Sequence, residues 1–566
     1  MSHGILFHIM IVKVLFSLVF ACVMALNQVI VIADPEIEIY TDITQNYVGP
    51  LSGAAVIVFI VSFVGVFLLL TLAEKYAKHN EEKSSITSPP EKGFKVFFFF
   101  AVVICVCWLP YLLSNIPGGV FFDNYLVYDI VYGRMAMSNQ QPVLYTLIHV
   151  LLYQIVVVLL GGTMQAVVMT MTLIQYIVFA CGLSWFLCWM MKRRFPNIFV
   201  IIVLLFFCLF PLFPQYAISN WKDTLFSLFL FLFAIAIAEV AIDGSVKLSE
   251  KRWILRYIVL AFLVCFFRNN GIYIVIVSTV LLLIVYRKEI FKMNNFIFSL
   301  SSVLLIIVTL IVQGPVFDKL GYNEAQTIES YGIPLQQVSY VILSGGDVSE
   351  EELEFIDQII SPDIRTAFSP NGFTSMKRYV GEDAKEFLNS NRGEFLRTWL
   401  SIVARNPRQA ADAFFLTTIG FWNPTKGSSH AYVQTTMSDG WQWQGLTHID
   451  LIDELTGHSI YSRLLPKIYF SGALFGWIAL FCFIVVCLRK KFILLLPFVP
   501  MMTLWATVLI SAPLAYSLRY VFALVVFLPL ALLLAFWAKS AASAKEPGKQ
   551  PDCAHPVHGD EQANLN

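Results

Sequence analysis

"PVLYTLIHVLLYQIVVVLLGG", residues 142–162, is apolar enough to enter a membrane, and whether it crosses decides the topology of the whole chain. About twelve other stretches read as spanning helices: 5–32, 51–73, 96–114, 165–191, 197–213, 223–242, 253–267, 271–286, 295–313, 467–488, 492–512 and 520–538. Lysine and arginine collect in cytoplasmic loops. With 142–162 lying along the outer membrane surface, or dipping in and returning, all the basic clusters fall inside. These are 74–95 (Lys75, Lys78, Lys83, Lys92, Lys95), Lys192-Arg193-Arg194, Lys247 to Arg256, Arg287-Lys288 with Lys292, and Arg489-Lys490-Lys491. The loop 33–50, with Asp34, Glu36, Glu38 and Asp42 and no lysine or arginine, then faces outside. If 142–162 spans, every cluster from Lys192 onward reverses. His149 and Gln154 within the run suit an interfacial helix better than a lipid-exposed one. A plain spanning helix with loops that violate the rule stays open, because the rule is a bias.

The chain has 566 residues, 58% hydrophobic and 13% charged. A soluble domain could not hide that much apolar surface, and windows of 18–25 apolar residues fit a hydrocarbon core of ~30 Å. The expected class is an all-α polytopic membrane protein. Zero formal net charge leaves no footprint for nucleic acid. Of the ten cysteines only Cys553 lies outside the apolar segments, so the long polar region is not a disulfide-stapled module. The N-terminal apolar stretch is too long for a signal-peptide core and reads as a retained helix.

Five regions follow. Residues 1–95 hold two extra N-terminal helices and a cytoplasmic loop; 96–313 form a membrane core whose first outer loop is 115–164. Residues 314–466 form a mainly helical extracytoplasmic domain, 467–538 the C-terminal helices, and 539–566 a polar tail expected to be disordered on the cytoplasmic side. Within the outer domain, Ser349 before Glu350-Glu351-Glu352 and an apolar run at helical spacing signals a capped helix. Pro334 with Gln336-Gln337 reads as a turn entering another.

Chemistry gathers on the outer face. Asp123 follows the turn Pro117-Gly118-Gly119. A carboxylate there can act as a general base or help bind a divalent cation, magnesium or manganese; no cofactor is fixed by the sequence. Asp129, six residues on, is a second acidic candidate; the bland reading makes both solvated loop charges. Lys222 and Asp223 open the helix after "NW", where an aspartate is often only a dipole partner. "FRNNG" interrupts a hydrophobic stretch with Arg268, Asn269, Asn270 and Gly271; the arginine is either snorkelling or paired with an anion such as a lipid phosphate. Arg519-Tyr520 opens the last helix, as a belt anchor or as a second phosphate contact. No Walker loop, dinucleotide fingerprint or zinc-type spacing occurs.

Taken in order, Asp123, Gln140-Gln141-Pro142, "WKDTLFSLFLFLF" (221–233), "FRNNGIY" (267–273), "ESYGIPLQQ" (329–337) and "SLRY" (517–520) resemble the GT-C superfamily of polytopic glycosyltransferases, which use lipid-phosphate sugars. The resemblance covers about 120–520 and implies a roofing juxtamembrane helix at 142–162. It also implies an acidic catalytic residue in the first outer loop, here Asp123. Donor phosphate would be held by Lys222, Arg268 and Arg519, and the pocket completed by Asn124, Gln141, Asp223, Asn269, Asn270 and Tyr520. The implied partners are a polyprenyl-phosphate sugar donor, a glycan, lipid or protein acceptor, and membrane lipids; under the same resemblance Trp422, Trp441 and Trp443 either stack on a sugar acceptor or pack the outer domain. Many members carry an acidic pair in this loop, whereas Asp123 is followed by Asn124 and Tyr125, which puts a paired-carboxylate metal site in doubt. Two other classes share these features. One is a flippase or transporter of lipid-linked sugars. The other is an envelope polysaccharide polymerase or ligase relying on outer histidines such as His430, His448 and His458.

Overall fold

The computed structural model describes residues 3–30, 51–83, 94–290, 296–322, 328, 331–370, 372–425, 445–458, 471–511 and 517–538. Helix accounts for 81% of it, and among the described residues there is no strand, only isolated bridges at Ile116–Ile449 and Gly119–Ser219. Apolar helices satisfy every backbone group internally, which is what a bilayer demands. Eight described helical segments are long and apolar enough to cross a membrane, three of them with adjoining π or 3-10 turns included (Phe296–Lys319, Phe492–Ser511 and Leu518–Phe536), consistent with a multi-pass membrane protein.

The N-terminal hairpin is α1 (His3–Val29) and α2 (Gly53–Lys83). The core holds α3 (Phe94–Leu113), α4 (Phe122–Val131), α5 (Val143–Tyr153, continued as a π-helix to Leu159), α6 (Met164–Lys192), α7 (Asn197–Leu209) and α8 (Leu212–Ile218). It continues with α9 (Lys222–Asp243), α10 (Lys251–Phe267), α11 (Gly271–Val285) and α12 (Phe296–Ile311). Helix α9 is the axis: 83% of its apolar window is buried, against 11% for α2. Gly182 makes this possible on α6, because a Cβ there would sit 2.5 Å from Leu228 on α9; a small residue lets the two helices close up.

Four expected spans differ from that set of eight. Residues 197–213 form α7 and α8, bent by 53°, where Pro211 interrupts the helix. Helices α10 and α11 have 17 and 15 residues, and the helix Gly472–Leu488 has 17. At 1.5 Å per residue these reach only about 22–26 Å, short of a ~30 Å core. The turn between α10 and α11 requires Gly271, whose Cβ would lie 2.0 Å from the Val264 carbonyl. Helix α5 with its π extension, Val143–Leu159, is also short. It begins beside Gln141, whose side chain meets Lys222 at the start of α9. Just beyond its end, Gln165 at the start of α6 bonds Thr447 of the outer segment. Both ends therefore lie at the same end of the bundle. Gln154 is exposed, whereas His149 is fully buried and bonded to the Tyr145 carbonyl at 2.9 Å.

The described part of 314–466, the segment expected on the outer side, folds around an apolar core of Leu335, Val338, Ile356, Phe395, Ile402 and Leu416. Its helices include α13 (Gly332–Leu343), α14 (Glu350–Asp357), α15 (Thr374–Lys377), α16 (Glu382–Ser390), α17 (Arg392–Arg405), α18 (Pro407–Thr417) and α19 (Ile419–Trp422). The expected cap is present: Ser349 Oγ accepts from Glu352 N, and the Glu352 carboxylate accepts from Ser349 N. Gln336 and Gln337 are buried and bonded to the Ser369 and Ala410 carbonyls, so they serve packing. Trp422 also packs, donating to the Phe415 carbonyl, rather than standing free for a sugar. Trp441, Trp443, His430 and the tail lie outside the described residues.

The domain is tied down by α20 (Gly472–Leu488) and α21 (Val499–Ser511), whose Trp477 and Trp505 donate to the Trp422 and Phe421 carbonyls at 2.7 Å. Asn27 on α1 accepts from Asn423 at 2.6 Å, which gives the N-terminal helix a structural task. At the opposite end, Arg489 is buried and donates to the carbonyls of Leu534, Ala535 and Ala538. It thereby caps the last helix, α22 (Phe522–Phe536).

Candidate functional site

The turn after α3 is held rather than loose. Gly118 takes φ +128, and a Cβ there would lie 2.1 Å from Thr172 Oγ1 on α6. Only glycine accepts both conditions. Thr172 donates to the Pro117 carbonyl at 2.7 Å and accepts from Asn220 at 2.9 Å. Gly119 N donates to the Ile218 carbonyl, and Asn220 N to the Gly119 carbonyl, each at 2.8 Å. Gln175 on α6 donates to the carbonyls of Tyr216, Ala217 and Ser219. The loop before α4 and the loop before α9 are thus one hydrogen-bonded unit. It sets Asp123 and Asp223, each in the first turn of its helix, on a common scaffold.

Charged side chains from four stretches meet there. Arg519 donates to Asp123 Oδ2 at 2.5 Å and, through its other terminal nitrogen, to the Tyr520 hydroxyl at 2.8 Å. Trp221 and Tyr520 flank its guanidinium at 5.3 and 4.8 Å. Arg268 lies 3.0 Å from Asp223 Oδ1, donates to the Tyr520 carbonyl at 3.2 Å, and sits over the rings of Phe226 and Tyr520. Lys222 donates to Gln141 at 2.6 Å. The two acids differ in access. The Asp123 side chain is 28% exposed, whereas that of Asp223 is 1% exposed and, among the described residues, accepts no directed hydrogen bond.

Burial works against charge on Asp123. Even so, the nearby Arg519, Lys222 and Lys377 hold its carboxyl below the usual carboxylate range. Lys377 comes from α15 of the outer domain, so that domain overhangs the site. The donor set does not suit a divalent cation: each aspartate already faces a guanidinium, and Lys222 adds a further positive charge. Among the described residues no group of three or more His, Cys, Asp or Glu is placed to hold a metal.

The remaining candidates divide. Asn269 donates to the Asn139 carbonyl and Asn270 to Thr507, both near 3 Å, so they brace the α10–α11 turn. Asn124 is buried and fully engaged: it accepts from Phe121 N and donates to the Asn220 carbonyl and the Tyr145 hydroxyl. It pins α4 and presents no amide to a ligand. Asp129 pairs with Arg134 at 3.4 Å, on the partly exposed side of α4. His448 bonds Asn115 at 3.0 Å, and His458 supplies a carbonyl to Thr456.

Sequence reading missed Trp221, Thr172, Gln175, Asn220 and Lys377. A glutamine inside the apolar run of α6 is a visible signal, because a polar side chain in a spanning helix needs partners. Lys377 had none, since nothing local separates it from other surface lysines.

Residues 132–550 match a family described as "Family of unknown function (DUF6020)". The match takes in Lys222, Asp223, Arg268 and Arg519; Asp123 lies just before it. No curated protein and no solved structure matches the chain.

Proposed function

The chain belongs to the DUF6020 family, and for this member we propose a membrane glycosyltransferase of GT-C type. It moves a sugar from a polyprenyl-phosphate donor to a glycan, lipid or protein acceptor on the extracytoplasmic face. The observation that carries this reading is the single cluster made by Asp123, Lys222, Asp223, Arg268, Arg519 and Tyr520 at one end of the bundle. In this reading the end of the bundle that holds the outer domain faces away from the cytoplasm, α5 lies horizontally beside the site, and the bent α7–α8 pair with the short helices α10, α11 and α20 completes twelve crossings.

The chemistry follows from the residue types. The acceptor oxygen attacks the anomeric carbon, and the bond from that carbon to the phosphate oxygen breaks. The phosphate keeps the electron pair. It needs no general acid, but its growing charge needs cations, which Arg519, Arg268 and Lys222 supply. The acceptor proton passes to Asp123. One displacement inverts the anomeric centre.

Complementation tests the proposal. A strain deleted for the gene is restored with wild type or Asp123→Asn at matched membrane levels, and envelope glycans and polyprenyl-phosphate sugars are profiled by mass spectrometry. A missing decoration with accumulated donor lipid, in both the deletion and the mutant, is the expected result. Full restoration by Asp123→Asn removes Asp123 as the base and brings the carrier reading forward. An unchanged glycan profile in the deletion strain removes the transferase itself.

A further inference from the structure

We propose that Asp123 occupies, on Arg519, the place that a substrate phosphate takes, so that phosphate binding releases the carboxylate. This rests on the transferase reading for the identity of the phosphate, and deepens it by giving the site an internal switch.

The geometry of Arg519 is the starting point. A guanidinium offers its donors in one plane, in a fork that matches a carboxylate or a phosphate equally well. Here the rings of Trp221 and Tyr520 lie 5.3 and 4.8 Å from its central carbon. One terminal nitrogen meets the Tyr520 hydroxyl and the other meets Asp123 Oδ2 at 2.5 Å. A phosphate that engages Arg519 through the donor now on Asp123 Oδ2 therefore does so by displacing the carboxylate. The tyrosine hydroxyl is neutral and its ring is held between two arginines. The carboxylate is the anion, and it is the like-charged competitor.

The two aspartates are unequal in their freedom to yield. Asp223 is sealed at 1% exposure under Arg268 and serves as a fixed counter-ion. Asp123 is 28% exposed and stands in the first turn of α4, a helix of 10 residues. Its backbone is clamped through Gly118 and Gly119, so a change of side-chain rotamer is the available motion. Once displaced, the carboxylate loses its closest cation and binds a proton more strongly. It then becomes an effective base only while a phosphate is in place. In the empty site the same pairing keeps the carboxylate occupied.

The discriminating signature is that removing Asp123's charge weakens turnover and strengthens phosphate binding. Wild type, Asp123→Asn, Arg519→Gln and the double variant are placed in lipid nanodiscs. Binding of farnesyl phosphate and of inorganic phosphate is titrated by the fluorescence of Trp221, with Trp221→Phe as the signal control. Asp123→Asn is expected to bind both probes about tenfold more tightly, the scale of one partly buried charge pair. In the Arg519→Gln background the same substitution is expected to change affinity by less than about twofold, because the contested partner is gone.

Unchanged or weaker binding by Asp123→Asn overturns the inference. So does a tenfold gain that persists without Arg519, which marks diffuse charge rather than competition. A gain on farnesyl phosphate alone overturns it too, since competition for Arg519 does not depend on the prenyl chain. If Arg519→Gln fails to fold, Arg519→Met, of similar volume, takes its place in the cycle. No sugar is present in this experiment, so its failure leaves the transferase reading to the glycan profile of the deletion strain.

Discussion

The Asp223–Arg268 pair allows a prediction worked from distance and burial. The closest atoms are 3.0 Å apart, with side-chain exposures of 1% and 12%, so water screens the pair weakly. At an effective dielectric of about 20 the Coulomb attraction at that separation is roughly 5 kcal/mol. Desolvation of both ions offsets most of it, so the intact pair adds little net stability. Removing one partner is different. Asp223→Ala leaves Arg268 with the Tyr520 carbonyl and two aromatic faces, beside Lys222 and Arg519. Arg268→Ala leaves a sealed carboxylate with no directed hydrogen bond. Each single change is expected to cost about 3–4 kcal/mol. The double change is expected to cost no more than either single one, a coupling of about 3 kcal/mol. The assay is unfolding in mixed SDS–dodecylmaltoside micelles, followed by tryptophan fluorescence. Additive costs in the double variant, or a single cost under about 0.5 kcal/mol, would refute the claim that Asp223 is the buried counter-ion of this cluster.

Four further outcomes are expected. Gly118→Ala combines a left-handed φ with a Cβ 2.1 Å from Thr172, so it should cost at least ~2 kcal/mol in the same assay and reduce glycan restoration. Gly133→Ala has a similar φ sign but open space around it and should cost only ~1 kcal/mol. The lowered pKa of Asp123 sets the direction of its pH dependence. Its stabilising contribution is present above the ordinary carboxylate value of ~4 and is lost as pH falls through the lower folded value. The stability gap between wild type and Asp123→Asn should therefore be flat from pH 5 to 7 and close on acidification; a gap that closes between pH 5 and 7 contradicts the lowered value. Ser349→Ala removes the cap of α14 and should destabilise the outer domain by about 1 kcal/mol, read by hydrogen exchange of residues 350–357.

Local rules settled what depends on near neighbours. Apolar runs identified the membrane helices, because the bilayer requirement acts segment by segment. Ser349 and Glu352 marked a cap because both partners lie within one turn. The polar interruptions at Asp123, Lys222-Asp223, Arg268 and Arg519 stood out against apolar flanks. Their pairing was not legible. Asp123 and Arg519 are 396 residues apart, and no spacing rule links them. Asn124 looked like a pocket residue by position, yet its buried amide is engaged with Asn220 and Tyr145.

Span lengths also escaped the sequence. Hydropathy counts residues, whereas the bend at Pro211 and the close turn at Gly271 arise where helices pack against one another. Composition and loop charge determined that the chain is a helical membrane protein and which polar stretches share an end. Only tertiary packing decided which aspartate stays reachable and which is sealed, because burial depends on what the other helices and the outer domain lay over each side chain.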